Sequence, residues 1–379
     1  MKRRVIIIGP AHPLRGGLAS FNERLARQFA REGNDVSIYT FSLQYPDFLF
    51  PGTTQYSTEP APQDININVA INSINPFNWL KVGNQLRRQK PDIIVVRYWL
   101  PLMGPALGTI LRIAKKNKHT KVICIADNIR PHEKRPGDTA FTKYFIKPID
   151  AFITMSEKVM KDLKTFTNKP AIQVVHPLYD NFGEALAKED ARRHLGLPEA
   201  EKIILFFGFI RKYKGLDILL EAMNILKQGS TLNIKLLIAG EFYEDRKVYD
   251  EIIADKNLAA QLILRTDFIQ DSEVKYYVSA ADFVIQPYRN ATQSGVTPLA
   301  YHFEKPMLVT NVGGLPDMVP DKKVGLVCEP IPQAIAENIL KLYELGEETF
   351  LPHLREEKKK YSWSNLTATI NTLSNYSNK

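Results

Sequence analysis

Short apolar runs rich in β-branched residues recur along the chain, each apolar on both faces, at residues 5–8, 36–40, 93–96, 122–125, 151–154, 203–207, 234–239, 283–286 and 307–310. Runs of this kind fit parallel strands covered by helices on both sides. Between them lie segments with helical amphipathic spacing, among them 21–32, 79–89, 156–165, 216–227 and 273–281. Alternation of strand and helix on this scale predicts doubly wound parallel sheets. The pattern breaks at His176-Pro177-Leu178-Tyr179-Asp180-Asn181-Phe182-Gly183, passes a polar helix at 190–195 and restarts at 203. A boundary near residues 177–200 follows, giving Rossmann-like domains at 1–180 and 181–360. Residues 361–379 read as a helix that could pack back on the first domain, a placement the pattern alone does not decide.

A length of 379 residues suits two such domains, since one hydrophobic core seldom serves so long a chain. The composition, 44% apolar and 24% charged, is that of a folded globular protein. Cys124 and Cys328 are far apart and flanked by apolar residues, which argues against a disulfide framework or a zinc site. Met1-Lys2-Arg3-Arg4 runs straight into the first strand, without the core of a signal peptide, so a cytoplasmic location is expected. The stretch from Tyr98 to Leu111 is uncharged but too short to span a bilayer, and it contains Pro101 and Pro105.

The formal charge of +9 is unevenly spread. Residues 1–180 hold 26 Lys and Arg against 14 Asp and Glu, whereas residues 181–379 hold 24 against 27. The basic surplus sits in stretches such as Arg87-Arg88-Gln89-Lys90 and Lys115-Lys116-Asn117-Lys118, which suggests attraction to an anionic membrane surface. A nucleic-acid partner would need a recognisable module or aromatic residues interleaved with basic ones, and neither is present.

Ligands of doubly wound domains bind beyond the carboxyl ends of the strands, so the loops there carry the chemistry. After the first strand, Gly16-Gly17 opens a helix, where backbone N–H groups and the helix dipole suit an anion; a plain strand-to-helix turn is the alternative. After residue 207, Gly208 is followed by Arg211, Lys212 and Lys214, three cations within four residues that suit a phosphate or diphosphate. Residues 287–296 bring Gln293, Ser294, Gly295 and Val296 to another helix start, and Gly313-Gly314 repeats the device. In the first domain, Asp127, Asn128 and His132 follow a strand: either Asp127 or His132 contacts a reacting group, or Asp127 and Asn128 merely cap the turn. His12 lies in the glycine loop. No spacing typical of metal ligands occurs.

These motifs, in this order, resemble the retaining glycosyltransferases of the GT-B fold known as family four. Gly16-Gly17-Leu18 and Gly33-Asn34-Asp35-Val36 are similar to that family's acceptor-lobe opening; residues 208–220 are similar to its glycine, cation, Lys-Gly signature. Val312-Gly313-Gly314-Leu315-Pro316-Asp317 resembles its glycine turn, and Tyr361-Ser362-Trp363 its C-terminal helix. The chain departs from the family at Phe209, where an Arg is usual, and at Ala291 and Leu299, which occupy the places of two Glu residues.

The resemblance implies a two-lobed enzyme with a central cleft. It would move a sugar from a UDP- or GDP-linked donor to a glycan or lipid-linked acceptor in surface polysaccharide or glycoconjugate assembly, in the cytoplasm or on the inner face of the cell membrane. It implies no cofactor and no metal. Arg211 and Lys214 would stabilise the departing diphosphate, with Gly16, Gly17, Gly208, Gln293, Ser294, Gly295 and Val296 around the donor and Glu241 beside its base. A sugar-nucleotide epimerase of the same fold and a non-catalytic sugar-nucleotide-binding protein are the alternatives.

Overall fold

The computed structural model describes residues 2–46, 54–130, 136–291 and 294–376, which form two compact units. The first comprises residues 1–175 together with 362–379, and the second residues 176–361.

In the first unit, β1 (Arg4–Ile8), β2 (Asp35–Leu43), β3 (Asn66–Asn72), β4 (Ile93–Tyr98), β5 (Lys121–Ala126), β6 (Ala151–Thr154) and β7 (Ala171–Gln173) form one sheet in the order β3-β2-β1-β4-β5-β6-β7. Every pairing is parallel. The central strands are buried along nearly their whole length, as their unbroken apolar runs require. The last helix, Trp363–Ser374, packs on the first, Gly17–Arg31. The Trp363 ring lies 4.8 Å from that of Phe21 and 5.0 Å from the Arg24 guanidinium, and Thr367 Oγ1 donates to Glu32 Oε1 at 2.6 Å.

In the second unit, β8 (Lys202–Phe207), β9 (Ile234–Ala239), β10 (Leu262–Arg265), β11 (Phe283–Gln286), β12 (Met307–Thr310) and β13 (Gly325–Cys328) form a parallel sheet in the order β10-β9-β8-β11-β12-β13. Both sheets are doubly wound. In each, the chain proceeds outward in one direction from the first strand and later resumes on its other side, at β4 in one unit and β11 in the other. That reversal opens a crevice at the carboxyl ends of the two adjoining strands, and the chemistry-bearing loops fall there.

Four strands that the apolar pattern does not predict are present: β3, β7, β10 and β13. They are the outermost strands of the two sheets.

Candidate active site

In the second unit three loops interlock beyond β8, β11 and β12. Gly208 leaves β8 with φ at 90°, and a side chain there would lie 3.0 Å from Lys214 Nζ. Gly240, at the end of β9, has φ at 144° and is pressed so closely on the Gly208 carbonyl that a Cβ would come within 2.3 Å of it. Gly215, with φ at 69°, rests against the Pro287 carbonyl, and Gly313, with φ at 56°, against that of Ala291. At these positions both the left-handed backbone and the close approach demand glycine. The Arg289 N–H donates to the Tyr213 carbonyl at 2.7 Å, and the Arg289 side chain pairs with Asp217, joining the loops after β8 and β11.

Lys214 is held inside this knot, 8% exposed, with Nζ 5.8 Å from the centroid of the Tyr288 ring. Among the described residues it has no ion-pair partner. Burial, and then the nearby charge of Arg211, pull its ammonium down to a pKa of about 7. Arg211 itself is exposed, with its guanidinium 5.1 Å over the Tyr243 ring, which stacks on Phe209 at 4.2 Å. Phe209 therefore supports an aromatic pair where the resembled family has a cation. Glu241 is buried, and its carbonyl accepts from the Ile210 N–H at 2.8 Å.

The residues expected around the diphosphate divide. Ser294 is buried: its hydroxyl donates to Gln286 Oε1 at 2.6 Å and accepts the Val296 N–H at 3.2 Å, just before the helix Val296–His302. Both groups therefore have partners within the fold. Gly295 is exposed between them. Gln293 lies outside the described residues. Ala291 and Leu299 are buried and apolar.

In the first unit the glycine loop after β1 is tied to its neighbours. The Ala11 N–H donates to Thr40 Oγ1 at 2.9 Å, and Asn22 Nδ2 to the Pro10 carbonyl at 2.8 Å. Gly16, with φ at 100°, precedes the helix Gly17–Arg31, and its carbonyl accepts from the Ala19 and Ser20 amides. His12 Nε2 lies 3.1 Å from the Glu59 carbonyl.

Asp127 is where expectation and structure part. Its carboxylate takes both Nε and Nη2 of Arg97, with Nε–Oδ2 at 2.9 Å, and both side chains are buried. The Arg97 guanidinium also lies 4.0 Å over the Phe21 ring. Asp127 is thus neither a free acid nor a simple turn cap, but half of an internal ion pair. His132 lies outside the described residues. Sequence reasoning missed Arg97, although the signal was there: it is the lone charge in the apolar run from Ile93 to Tyr98.

Residues 15–181 match the family described as Glycosyltransferase Family 4, and residues 187–361 that described as Glycosyl transferases group 1. The chain is 24% identical to D-inositol 3-phosphate glycosyltransferase of Corynebacterium glutamicum, over 95% of its own length and 91% of that protein's. Among solved structures it is similar to sucrose-phosphate synthase of Thermosynechococcus elongatus, with a TM-score of 0.74 at 15% identity over 98% of each chain. It is also similar to HepE of Anabaena, solved in complex with UDP-glucose, with a TM-score of 0.73 at 14% identity over 98% of this chain and 100% of that one. At such identities the likeness establishes the fold, which is GT-B.

Proposed function

Since the chain belongs to the group 1 glycosyltransferases, its first unit matching family four, we propose that it moves a sugar from a nucleoside-diphosphate donor to a hydroxyl of a glycan or lipid-linked acceptor, with retention at the anomeric carbon. The observation that carries this reading is the buried Lys214, packed against Gly208 beyond β8 and without an ion-pair partner among the described residues. An ammonium out of water without a counter-ion is unstable, and the group that relieves it is an anion. A diphosphate in that crevice gains charge as the glycosidic bond breaks, so Lys214 binds the leaving group more tightly in the transition state than in the ground state.

Arg211, exposed and free to swing off Tyr243, supplies a second cation with a bidentate face. With two cations on the diphosphate, the reaction we propose needs no metal, and activity should survive EDTA. The departing phosphate oxygen takes the proton of the acceptor hydroxyl, so no carboxylate base is required. That fits a chain whose Ala291 and Leu299 replace acidic residues and whose Asp127 is already paired. The base of the donor lies toward Glu241 and the Phe209–Tyr243 pair, and UDP-sugars are the first candidates, a choice that the fold shared with a protein solved with UDP-glucose supports.

The test is calorimetric titration of the chain with UDP, GDP and their sugar conjugates, followed by transfer assays with the conjugate that binds. Binding of a sugar nucleotide that Lys214→Ala weakens supports the reading. Native affinity and turnover in that variant would remove Lys214 from the mechanism.

A further inference from the structure

The helix Pro76–Gln89 is anchored by one face only. Val82 and Leu86 are buried, and Gly83 lets the neighbouring helix Gly104–Ala114 approach so closely that a Cβ would meet Ile113 at 2.8 Å. The opposite face carries Phe77, Leu80, Lys81, Asn84 and Arg88, spaced at helical intervals of three and four. Its first turn is unusually apolar for a solvent face: Phe77 is 83% exposed, Leu80 47%, and Ile74 just before the helix 55%.

The other end of that face is basic. The turn Lys115–Asn117 sits beside it, with Asn117 Nδ2 3.5 Å from the Arg87 carbonyl. Among the described residues, none of Lys81, Arg87, Arg88, Lys90, Lys116 and Lys118 has an ion-pair partner. From Ile65 to Ala126 the chain has ten Lys and Arg and a single acidic residue, Asp92, which is engaged by His119.

We propose that this face of the helix Pro76–Gln89 docks the enzyme on an anionic phospholipid surface, with Ile74, Phe77 and Leu80 entering the acyl boundary and the cations meeting the headgroup phosphates. Apolar side chains at one end and unpaired cations along the rest are what an interfacial helix needs. A nucleic acid would use the cations but has no place for Ile74 and Leu80. The helix begins just past the carboxyl end of β3, the edge of the sheet that also bears Gly16-Gly17, so docking brings a membrane-borne acceptor to the edge where the loops of this unit lie. The inference is independent of the donor assignment.

It is tested by flotation of the full chain with vesicles of phosphatidylcholine alone and with about one third phosphatidylglycerol. Partition should be roughly tenfold stronger onto the anionic vesicles and should weaken with salt. The double variant F77S/L80S should lose about tenfold in partition, and K81E/R88E should lose the preference for anionic lipid. Trp emission from F77W should shift to the blue on the anionic vesicles. Equal partition onto both vesicle types, undiminished binding by both double variants, or duplex DNA binding without vesicle binding each overturns the proposal. UDP-glucose binding measured on the same preparations separates the two readings: a chain that binds the sugar nucleotide and ignores vesicles refutes docking alone, and the converse refutes donor binding alone.

Discussion

Near the two switch points lie two buried cations with opposite treatment. Arg97, at the end of β4, has Asp127 across two of its nitrogens and the face of Phe21 below it. Lys214, in the loop after β8, has the ring of Tyr288 at 5.8 Å and no carboxylate among the described residues. A cation with its counter-ion built in is a fixed part of the fold, and removing one partner strands the other. A cation left without one is held at a cost to the fold's stability and rewards whatever anion arrives. Burial alone therefore says little about function; the presence or absence of an internal partner tells the two apart.

The largest effect expected from breaking this contrast is in the first unit. Asp127→Ala leaves Arg97 charged and buried, and should cost about 3–5 kcal/mol of stability in denaturant titration. The paired replacement R97M/D127L should restore much of that loss. If Asp127→Ala instead abolishes transfer at native stability, the carboxylate acts on substrate and the contrast fails.

Next comes Lys214→Ala, for which a fall of about 100-fold or more in kcat/KM is expected, the usual consequence of losing a charge partner of the transition state. The unliganded fold should not suffer. Lys214→Met should even raise Tm, because the native state no longer holds a poorly solvated amine. The pH dependence follows from the same group. Its pKa falls from 10.5 to about 7 on folding, so between those values the unfolded chain holds a proton that the folded one releases, and this residue makes unliganded stability climb as pH rises through that window. Lys305, lowered by burial to about 8, acts in the same direction, so the comparison is wild type against Lys214→Met.

A smaller effect sharpens the contrast in solution. UDP-glucose, whose phosphate diesters do not titrate in this range, should bind the protonated Lys214. Its affinity should be level below pH 7 and fall by up to about tenfold per pH unit above, a slope absent from Lys214→Met. Smallest is Ser294→Ala, which removes the bonds to Gln286 and to the Val296 amide and should cost about 1 kcal/mol of stability. A loss of donor affinity much beyond that would return the hydroxyl to the ligand.

The central strands were legible in the sequence because both their faces are buried, which leaves only apolar residues to choose from. The same logic hid β3 and β7. At the edge of a sheet a strand has one partner and faces solvent, so Asn66-Ile67-Asn68-Val69 or Ala171-Ile172-Gln173 carries no unbroken apolar run. The glycines were legible for their backbone: Gly208, Gly215 and Gly313 sit in the loops they marked, each at positive φ. What escaped was the pairing of side chains distant in sequence. Nothing local announces that Asp127 belongs to Arg97, thirty residues away, or that the Ser294 hydroxyl donates to Gln286.

The return of the helix Trp363–Ser374 to the first unit has a consequence for synthesis. The surface around Phe21, Arg24 and Glu32 receives its cover only after the 186 residues of the second unit have been made. At about 5–20 residues per second that interval is roughly 10–40 s, during which the first unit stands on the ribosome with its apolar seam uncovered. A nascent chain halted before Trp363 should accordingly bind chaperone at that seam and release it once the last helix emerges.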